Sequence, residues 1–301
     1  MADTSTLNYL AHLLDSGVAP LEASMRLIEV CPQEKTAITQ LIKNLKLGHT
    51  FASSVNQAGF SSYLEYQILK VAEQAGKATS ALRFISSNRL RRQKRSRDLR
   101  SRLLLPNAVI LIMLTVYIIR SITTAEQIGS ALITAITIIA LSISITYLLL
   151  SLAHNDATYW LSLGWRLGLQ KSSKRFSCYS DYYFYTLFYW HTNAGIDYIT
   201  SAKILSTLYR ADAYQTSISS YQQGLNNGKS VSDALFDADL LAPGELRQII
   251  RTGEKSGRLP QALQHYLSID QLQIDESIDS VSTWIPRIYY TVIMLLGIMA
   301  L

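Results

Sequence analysis

Residues 253–257 read Gly-Glu-Lys-Ser-Gly and lead into a helix-like run, RLPQAL, at 258–263. Nearly the same phrase stands far upstream, where residues 72–76 read Ala-Glu-Gln-Ala-Gly and lead into KATSAL at 77–82. Both stretches have a small residue, a Glu, two further residues, a Gly and a basic residue, and both close on Ala-Leu. A short turn that occurs twice, each time with a carboxylate at the same place, predicts a chain built from two related units.

The two glutamates of this turn, Glu73 and Glu254, stand in the last turn of a predicted helix that ends at Gly76 or Gly257. The glycine suits a left-handed C-terminal position, whereas the helix dipole disfavours the carboxylate there by about 0.3–1 kcal/mol. We predict that each Glu accepts hydrogen bonds from backbone N–H groups at the start of the next helix, or from a neighbouring Ser or Arg. Each Glu would then fix the corner between two helices. The alternatives are a solvated surface carboxylate and a group that binds a partner or a cation.

Other landmarks recur at nearly the same spacing. Four landmarks held within three residues over about ninety positions indicate an internal duplication. The pairs are Gly17 with Gly195 (178 residues apart), Gly48 with Gly228 (180), Glu73 and Gly76 with Glu254 and Gly257 (181), and Pro106 with Pro286 (180).

The apolar spacing within each unit is helical. One helical face of the first predicted helix carries Leu7, Leu10, Ala11 and Leu14. Gly17 follows where a left-handed residue would end the helix, and Pro20 suits the first turn of the next one. In the second unit, Ser230 with Asp233 forms an acidic relative of a capping box. Few segments alternate with period two, so the sequence predicts an all-α fold.

The composition indicates soluble domains combined with a few membrane helices. The 301 residues are 49% hydrophobic and 17% charged, with a mean hydropathy of +0.13. Three apolar stretches are predicted to be transmembrane helices, namely 103–120, 131–153 and 284–301, the last with Arg287 near its start. The first residues lack a basic start and an unbroken apolar core, so we expect no cleavable signal peptide.

Basic residues predict the orientation. Nine Lys or Arg residues stand between 83 and 102, against one acidic residue, and the positive-inside rule places this segment in the cytoplasm. We therefore predict a first cytoplasmic helical domain at 1–102, a short external loop at 121–130 and a second cytoplasmic helical domain at 154–283. Without interleaved aromatics the basic segment fits anionic lipid rather than nucleic acid. The predicted membrane-surface basic cluster comprises Arg89, Arg91, Arg92, Lys94, Arg95 and Arg97.

These features resemble the F-domain inner-membrane platform proteins of type II secretion systems and type IV pilus assembly machines. The resemblance covers nearly the whole chain. Its most specific motif, a Gly-Glu-x-Ser-Gly turn, is complete at Gly253, Glu254, Ser256 and Gly257. In the first unit it is reduced to Glu73 and Gly76 with alanines beside them, and of the usual upstream Phe-Pro only Phe60 and Pro243 remain. These departures indicate a divergent branch of the family.

The resemblance implies a platform protein in the inner (cytoplasmic) membrane of a bacterial cell. Its cytoplasmic domains would contact a hexameric assembly ATPase, and its membrane part would engage pilin or pseudopilin subunits. Other inner-membrane proteins of the assembly complex are expected as further partners, and we expect a homo-oligomer. Movement of the platform would couple ATP turnover to subunit insertion.

No pattern in the sequence indicates catalysis, so we expect neither an enzyme nor a bound cofactor or metal. The five histidines show no ligand spacing, and no glycine-rich phosphate loop is present in the sequence. His191 is expected to be a partly buried helical residue, and the aromatic run at 179–190 is expected to pack in a core rather than form a ligand cage. The alternative functions are a small repeat-built transporter, disfavoured because the spans hold no midplane Asp, Glu or Lys, and a membrane-anchored adaptor.

Overall fold

The helical periodicity of the sequence is realised as α-helices in a computed structural model. The structure describes residues 4–123, 174–208, 215–241 and 244–276, together with the isolated positions 136, 143, 144, 146, 147, 287 and 291. Within these ranges all regular elements are helical, so the predicted all-α class is confirmed for the described part of the chain.

The N-terminal part of the chain forms several short helices followed by one long helix. They are α1 (Thr4–Asp15), α2 (Pro20–Val30), a 3₁₀ turn (Pro32–Glu34), α3 (Lys35–Lys46), α4 (Phe51–Gln57), α5 (Tyr63–Gln74) and the long α6 (Ala78–Thr123). The later part of the chain repeats the pattern of short helices. Its helices are α7 (Lys174–Asn193), α8 (Tyr198–Leu208), α9 (Gln215–Asn226), α10 (Val231–Asp237), α11 (Glu245–Lys255) and α12 at 259–276.

Four helices of each set end in the same kind of turn. At Gly76 the amide donates to Glu73 O and the next amide, of Lys77, donates to Ala72 O, which satisfies the last carbonyls of α5. This turn needs a positive φ, and Gly76 has φ 68°. In the described part of the chain, eight turns with this geometry fall into pairs at the spacing found in the sequence. The pairs are Gly17 and Gly195, Gly48 and Gly228, Gly59 and Asp239, and Gly76 and Gly257.

The chain divides into two compact units. The first unit comprises Met1–Leu90 and Ser173–Gln271, and the second comprises Arg91–Ser172 and Leu272–Leu301. We term the described residues up to Leu90 the N-terminal half of the first unit, and those of 174–271 its C-terminal half. The predicted domain boundaries at 102, 154 and 283 stay predictions.

The two halves have cores of different composition. In the N-terminal half the core is mainly aliphatic, with Leu7, Leu27 and Leu41 at 0–1% exposure. In the C-terminal half α7 inserts an aromatic face, on which Tyr185 and Phe188 are fully buried. The described part of the aromatic run, 182–190, therefore packs in a core, as predicted, because these rings contact one another and α9 rather than line a cage.

The predicted membrane segments stay predictions. Residues 103–120 lie within α6, whereas 131–153 and 284–301 lie outside the described residues apart from isolated positions. Within the described ranges, no helix combines the length and the apolar character needed to cross a membrane.

Candidate functional site

The carboxylate of Glu73 holds the start of α4. Its Oε1 accepts a hydrogen bond from Phe51 N at 2.7 Å, and its Oε2 accepts one from Ala52 N at 2.9 Å. The preceding residue, Thr50, is the N-cap and accepts from Ser53 N at 3.3 Å. Three of the four amides that a helix start leaves without intrahelical partners are thus satisfied.

Glu254 repeats this arrangement at the start of α10. Its Oε1 accepts from Val231 N at 2.6 Å, and its Oε2 accepts from Ser232 N at 3.0 Å. Here Ser230 is the N-cap and accepts from Asp233 N at 3.1 Å. The predicted reciprocal bond of a capping box is replaced, because Ser230 Oγ donates to the Asp233 carboxylate instead of the carboxylate reaching the Ser230 amide. We term the two arrangements the Glu73 corner and the Glu254 corner.

Each Glu binds the start of a helix, as predicted. That helix is the short one that precedes the Glu in the sequence, not the one that follows it. The expectation that the next helix supplies the amides is therefore wrong. Glu73 lies at the end of α5, which folds back along α4, so its carboxylate reaches amides 21 and 22 residues earlier. The positive end of the α4 dipole stabilises the carboxylate that the end of α5 disfavours.

The glycines of the complete motif serve two different purposes. Gly257 has φ 66° and ends α11, whereas Gly253 is a buried helical residue with no unusual backbone. A Cβ added at Gly253 would lie 2.7 Å from Ala262 Cβ and 3.2 Å from Leu259 Cα. Gly253 therefore permits the close approach of α11 and α12. Ser256 adds a hydrogen bond from its Oγ to Gly253 O at 3.2 Å.

Two of the left-handed turn residues, Gly59 and Asp239, were not predicted from the sequence. Asp239, with φ 54°, ends α10 where Gly59 ends α4 in the N-terminal half. Aspartate is among the few residues that tolerate this conformation. The spacing of 180 residues from Gly59 was the signal that could have identified it.

Arg89 does not belong to a surface cluster. Its side chain is 4% exposed and forms an ion pair with Glu65. Arg89 Nε donates to Glu65 Oε1 at 2.8 Å, and Arg89 Nη2 donates to Glu65 Oε2 at 2.5 Å. It also donates to Phe60 O at 2.7 Å, and Glu65 accepts from Ser62 N at the start of α5. The prediction of a membrane-surface role is wrong for Arg89, because its charge is neutralised inside the helical core.

The pKa of Glu65 reflects this pairing. Burial alone raises the pKa of the carboxyl, but the hydrogen bonds and charge of Arg89, with the Ser62 bonds, outweigh burial and hold it below its ordinary value. Glu65 therefore stays charged inside the protein at neutral pH, where it is paired and hydrogen-bonded with Arg89.

The rest of the predicted basic cluster differs from Arg89. Arg91, Lys94 and Arg97 are exposed on α6, Arg92 is half-buried, and the side chain of Arg95 lies outside the described set. Their role at a membrane surface stays a prediction.

The two halves of the first unit are joined by polar and aromatic contacts. Lys77 Nζ donates to Asn193 O at 2.7 Å and to Asn193 Oδ1 at 2.8 Å. Beside this pair the rings of Phe84 and Trp190 meet edge to face, with centroids 5.9 Å apart. These contacts connect α6 to the C-terminal end of α7.

His191 is fully buried on α7, deeper than the partly buried position expected. Its Nδ1 is 2.8 Å from Ser201 Oγ on α8, and its Nε2 has no hydrogen-bond partner among the described residues. Burial lowers the pKa of this imidazole to about 4, so it is neutral at physiological pH. Within the described residues, no group of three His, Cys, Asp or Glu side chains is arranged to hold a metal ion.

The described geometry defines an all-helical protein in which a Glu-anchored corner occurs once in each half. Residues 6–122, which run from α1 into the end of α6, match the family described as Type II secretion system (T2SS), protein F. The resemblance drawn from the sequence is therefore confirmed over residues 6–122. This match relates residues 6–122 to a domain of the type II secretion and type IV pilus machinery, and members of that family are inner-membrane components. No curated protein matches the chain.

Proposed function

We propose that this protein is the inner-membrane platform of a type II secretion or type IV pilus assembly machine. In this proposal it binds a cytoplasmic assembly ATPase and transmits the work of ATP hydrolysis to pilin-like subunits in the membrane. The observation that carries the proposal is the T2SS protein F match over residues 6–122. A platform need not hydrolyse ATP itself, which agrees with a sequence that has no phosphate-binding loop.

The exposed face of α6 supports a membrane-embedded part. Leu111, Ile112, Val116 and Ile119 are between 58% and 68% exposed, a contiguous apolar surface that water would disfavour. Such a surface is stable when lipid covers it. The proposed topology has spans at 103–120, 131–153 and 284–301, with the two helical domains in the cytoplasm.

A polar contact supports the packing of the first two proposed spans. Asn107, on α6, donates from Nδ2 to Thr146 Oγ1 at 3.3 Å. Asn and Thr side chains commonly bond across helices in a bilayer, where no water competes for them.

The paired corners support the proposed duplication. Thr50 and Ser230 are N-caps, Glu73 and Glu254 bind the next two amides, and the turns that follow have the same left-handed residue. A duplicated cytoplasmic domain followed each time by a span requires one extra helix to return the chain, which accounts for three spans.

Reporter fusions test the topology. We expect a cytoplasmic signal near residues 90 and 220 and an external signal near 125. An external reporter near 220 would overturn the three-span arrangement.

Copurification and enzymology test the role. The purified full chain should retain the assembly ATPase encoded in the same cell and should not turn over ATP alone above an inactive-preparation control. A chain that hydrolyses ATP by itself, or that never retains the ATPase in mild detergent, would contradict the proposal.

A further inference from the structure

A pocket of about 330 Å³ opens beside the Glu73 corner. This volume is at the lower end of the range for ligand sites, and it is large enough for one long side chain. The Glu73 carboxylate is the one ionisable group in a wall that is otherwise mostly aliphatic and aromatic. The wall includes Leu14, Val18, Pro20, Phe51, Glu73 and Thr79.

The charge of Glu73 has no cationic partner within the described part of the chain. Its hydrogen-bond partners there are the amides of Phe51 and Ala52, and no Lys or Arg of that part forms an ion pair with it. Each carboxylate oxygen accepts one amide and keeps a lone pair for another donor.

The equivalent position of the C-terminal half has larger side chains around its carboxylate. Tyr198 stands in place of Pro20, and Leu259 in place of Ala78, at the spacings of the paired turns. Burial, and then the charge of Glu254, raise the pKa of the Tyr198 phenol. The residue equivalent to Pro20 is therefore a larger, aromatic one, whereas Pro20 lines an open pocket at the Glu73 corner.

We propose that the Glu73 pocket receives a lysine or arginine side chain from a partner protein. Lys and Arg bury their methylene stems along apolar walls and keep their cationic ends for a polar group. Leu14, Val18 and Pro20 supply the apolar wall, and the Glu73 carboxylate supplies the charge. A lone carboxylate in an apolar wall fits this occupant better than a metal ion, which needs several oxygen ligands.

Binding of small cationic probes tests the chemistry of the pocket. The full chain in nanodiscs, with Cys31→Ser and Cys178→Ser, carries a bimane fluorophore at Thr79→Cys. We expect a saturable emission change with Nα-acetyl-arginine amide and Nα-acetyl-lysine amide, and a response weaker by roughly tenfold or more with neutral Nα-acetyl-citrulline amide. An equal response to the citrulline probe, or no saturable response to either cation, would overturn the proposal.

The C-terminal half provides the matched variant. Pro20→Tyr introduces the residue found at the equivalent position without altering Glu73, and it should weaken cation binding by roughly tenfold or more. The melting temperature should stay that of the parent chain, which separates a filled pocket from a damaged fold. Unchanged binding in Pro20→Tyr would place the cation elsewhere and contradict the proposal.

Photo-crosslinking identifies the source of the side chain. Benzoylphenylalanine at Ala19, on the rim of the pocket, should give a protein adduct in cells whose linked peptide contains a Lys or Arg. Changing that basic residue to Gln, or introducing Pro20→Tyr, should abolish the adduct. An adduct with lipid alone, or one that survives both changes, would exclude a partner's basic side chain. Because the proposal concerns the Glu73 pocket and not the identity of the machine, it stands or falls separately from the ATPase experiment.

Discussion

Lys77 binds the C-terminal end of α7 through Asn193, 116 residues away in the sequence. Its ammonium group bonds to both the main-chain and side-chain oxygens of Asn193, where a cation is favoured by the helix dipole. Lys77 directly follows Gly76, so the turn that carries the Glu73 corner also carries the bond between the halves. The corner and the junction are therefore one continuous structure.

Lys77→Met should loosen this junction. Loss of a hydrogen bond from a charged donor lowers the free energy of unfolding by about 1.5–3 kcal/mol when the donor is buried. Lys77 is half-buried, so we expect a loss toward the lower end of this range. Hydrogen exchange at the end of α7 should rise together with the loss of stability in urea. Arg258→Met is the matched control, since Arg258 follows Gly257 in the same way but is exposed. Equal losses from the two variants would show that the contact with Asn193 is unimportant.

Glu254→Gln should destabilise the C-terminal half. Glutamine keeps one acceptor oxygen and turns an N–H donor toward an amide of α10, so one hydrogen bond and the charge are lost. The expected cost is about 1–3 kcal/mol of unfolding free energy, measured by denaturant titration of the full chain. Glu29→Gln, at an exposed position of α2, should change stability by no more than about 0.5 kcal/mol. A Glu254→Gln variant as stable as the control would mean that the carboxylate does not anchor α10.

Arg89→Met should be among the most damaging single changes in the described core. It leaves Glu65 buried without its partner, which typically costs about 3–5 kcal/mol. Because pairing depresses the pKa of Glu65, the pair's contribution is present above the ordinary glutamate value of 4.5 and is lost as pH falls toward the lower folded value. Arg91→Met, two residues along, is the control and should be near neutral. The double variant Arg89→Met, Glu65→Met should be more stable than Arg89→Met alone, which would identify the unpaired charge of Glu65 as the cause of the destabilisation.

Local features of the fold were predictable from the sequence. The left-handed glycines, Pro20 at the start of α2 and the periodic apolar faces depend on neighbouring residues, so spacing alone identifies them. The Glu-x-x-Gly turn also pointed correctly to residues that need a compensating partner.

Features that depend on tertiary packing were not predictable. Whether Glu73 reaches the next helix or the preceding one is decided by how α5 folds against α4. The burial of Arg89 is decided by Glu65, 24 residues earlier, and a run of basic residues gives no sign that one member turns inward. The role of Gly253 required the distance between two helices, which the motif does not contain.

Acid should destabilise the C-terminal half through His191. Its folded pKa of about 4 lies below the ordinary value of 6.5, so the neutral imidazole stabilises the fold fully above pH 6.5. Stability should then fall by roughly 1.4 kcal/mol per pH unit between 6.5 and about 4. The N-terminal half has Leu13 and Ala23 at the equivalent positions of His191 and Ser201. The double variant His191→Leu, Ser201→Ala should therefore show a smaller change in unfolding free energy between pH 6.5 and about 4. An unchanged slope would mean that groups other than His191 cause the loss of stability.

Gly253→Ala tests the contact between α11 and α12. The added Cβ would lie 2.7 Å from Ala262 Cβ, so one of the two helices must shift. Overpacking of this kind is expected to cost about 1–3 kcal/mol, although alanine is otherwise the better helix former. Ala262→Gly in the same chain removes the opposing methyl group and should restore much of the loss, giving a coupling energy in a double-mutant cycle.

The N-terminal half has alanines at both equivalent positions, Ala72 and Ala81, so Ala72→Gly there should only lower stability, by about 0.5–1 kcal/mol. Urea titration of the four variants and the parent measures these differences. If Gly253→Ala is neutral, or if Ala262→Gly fails to rescue it, the glycine is not required by the approach of the two helices.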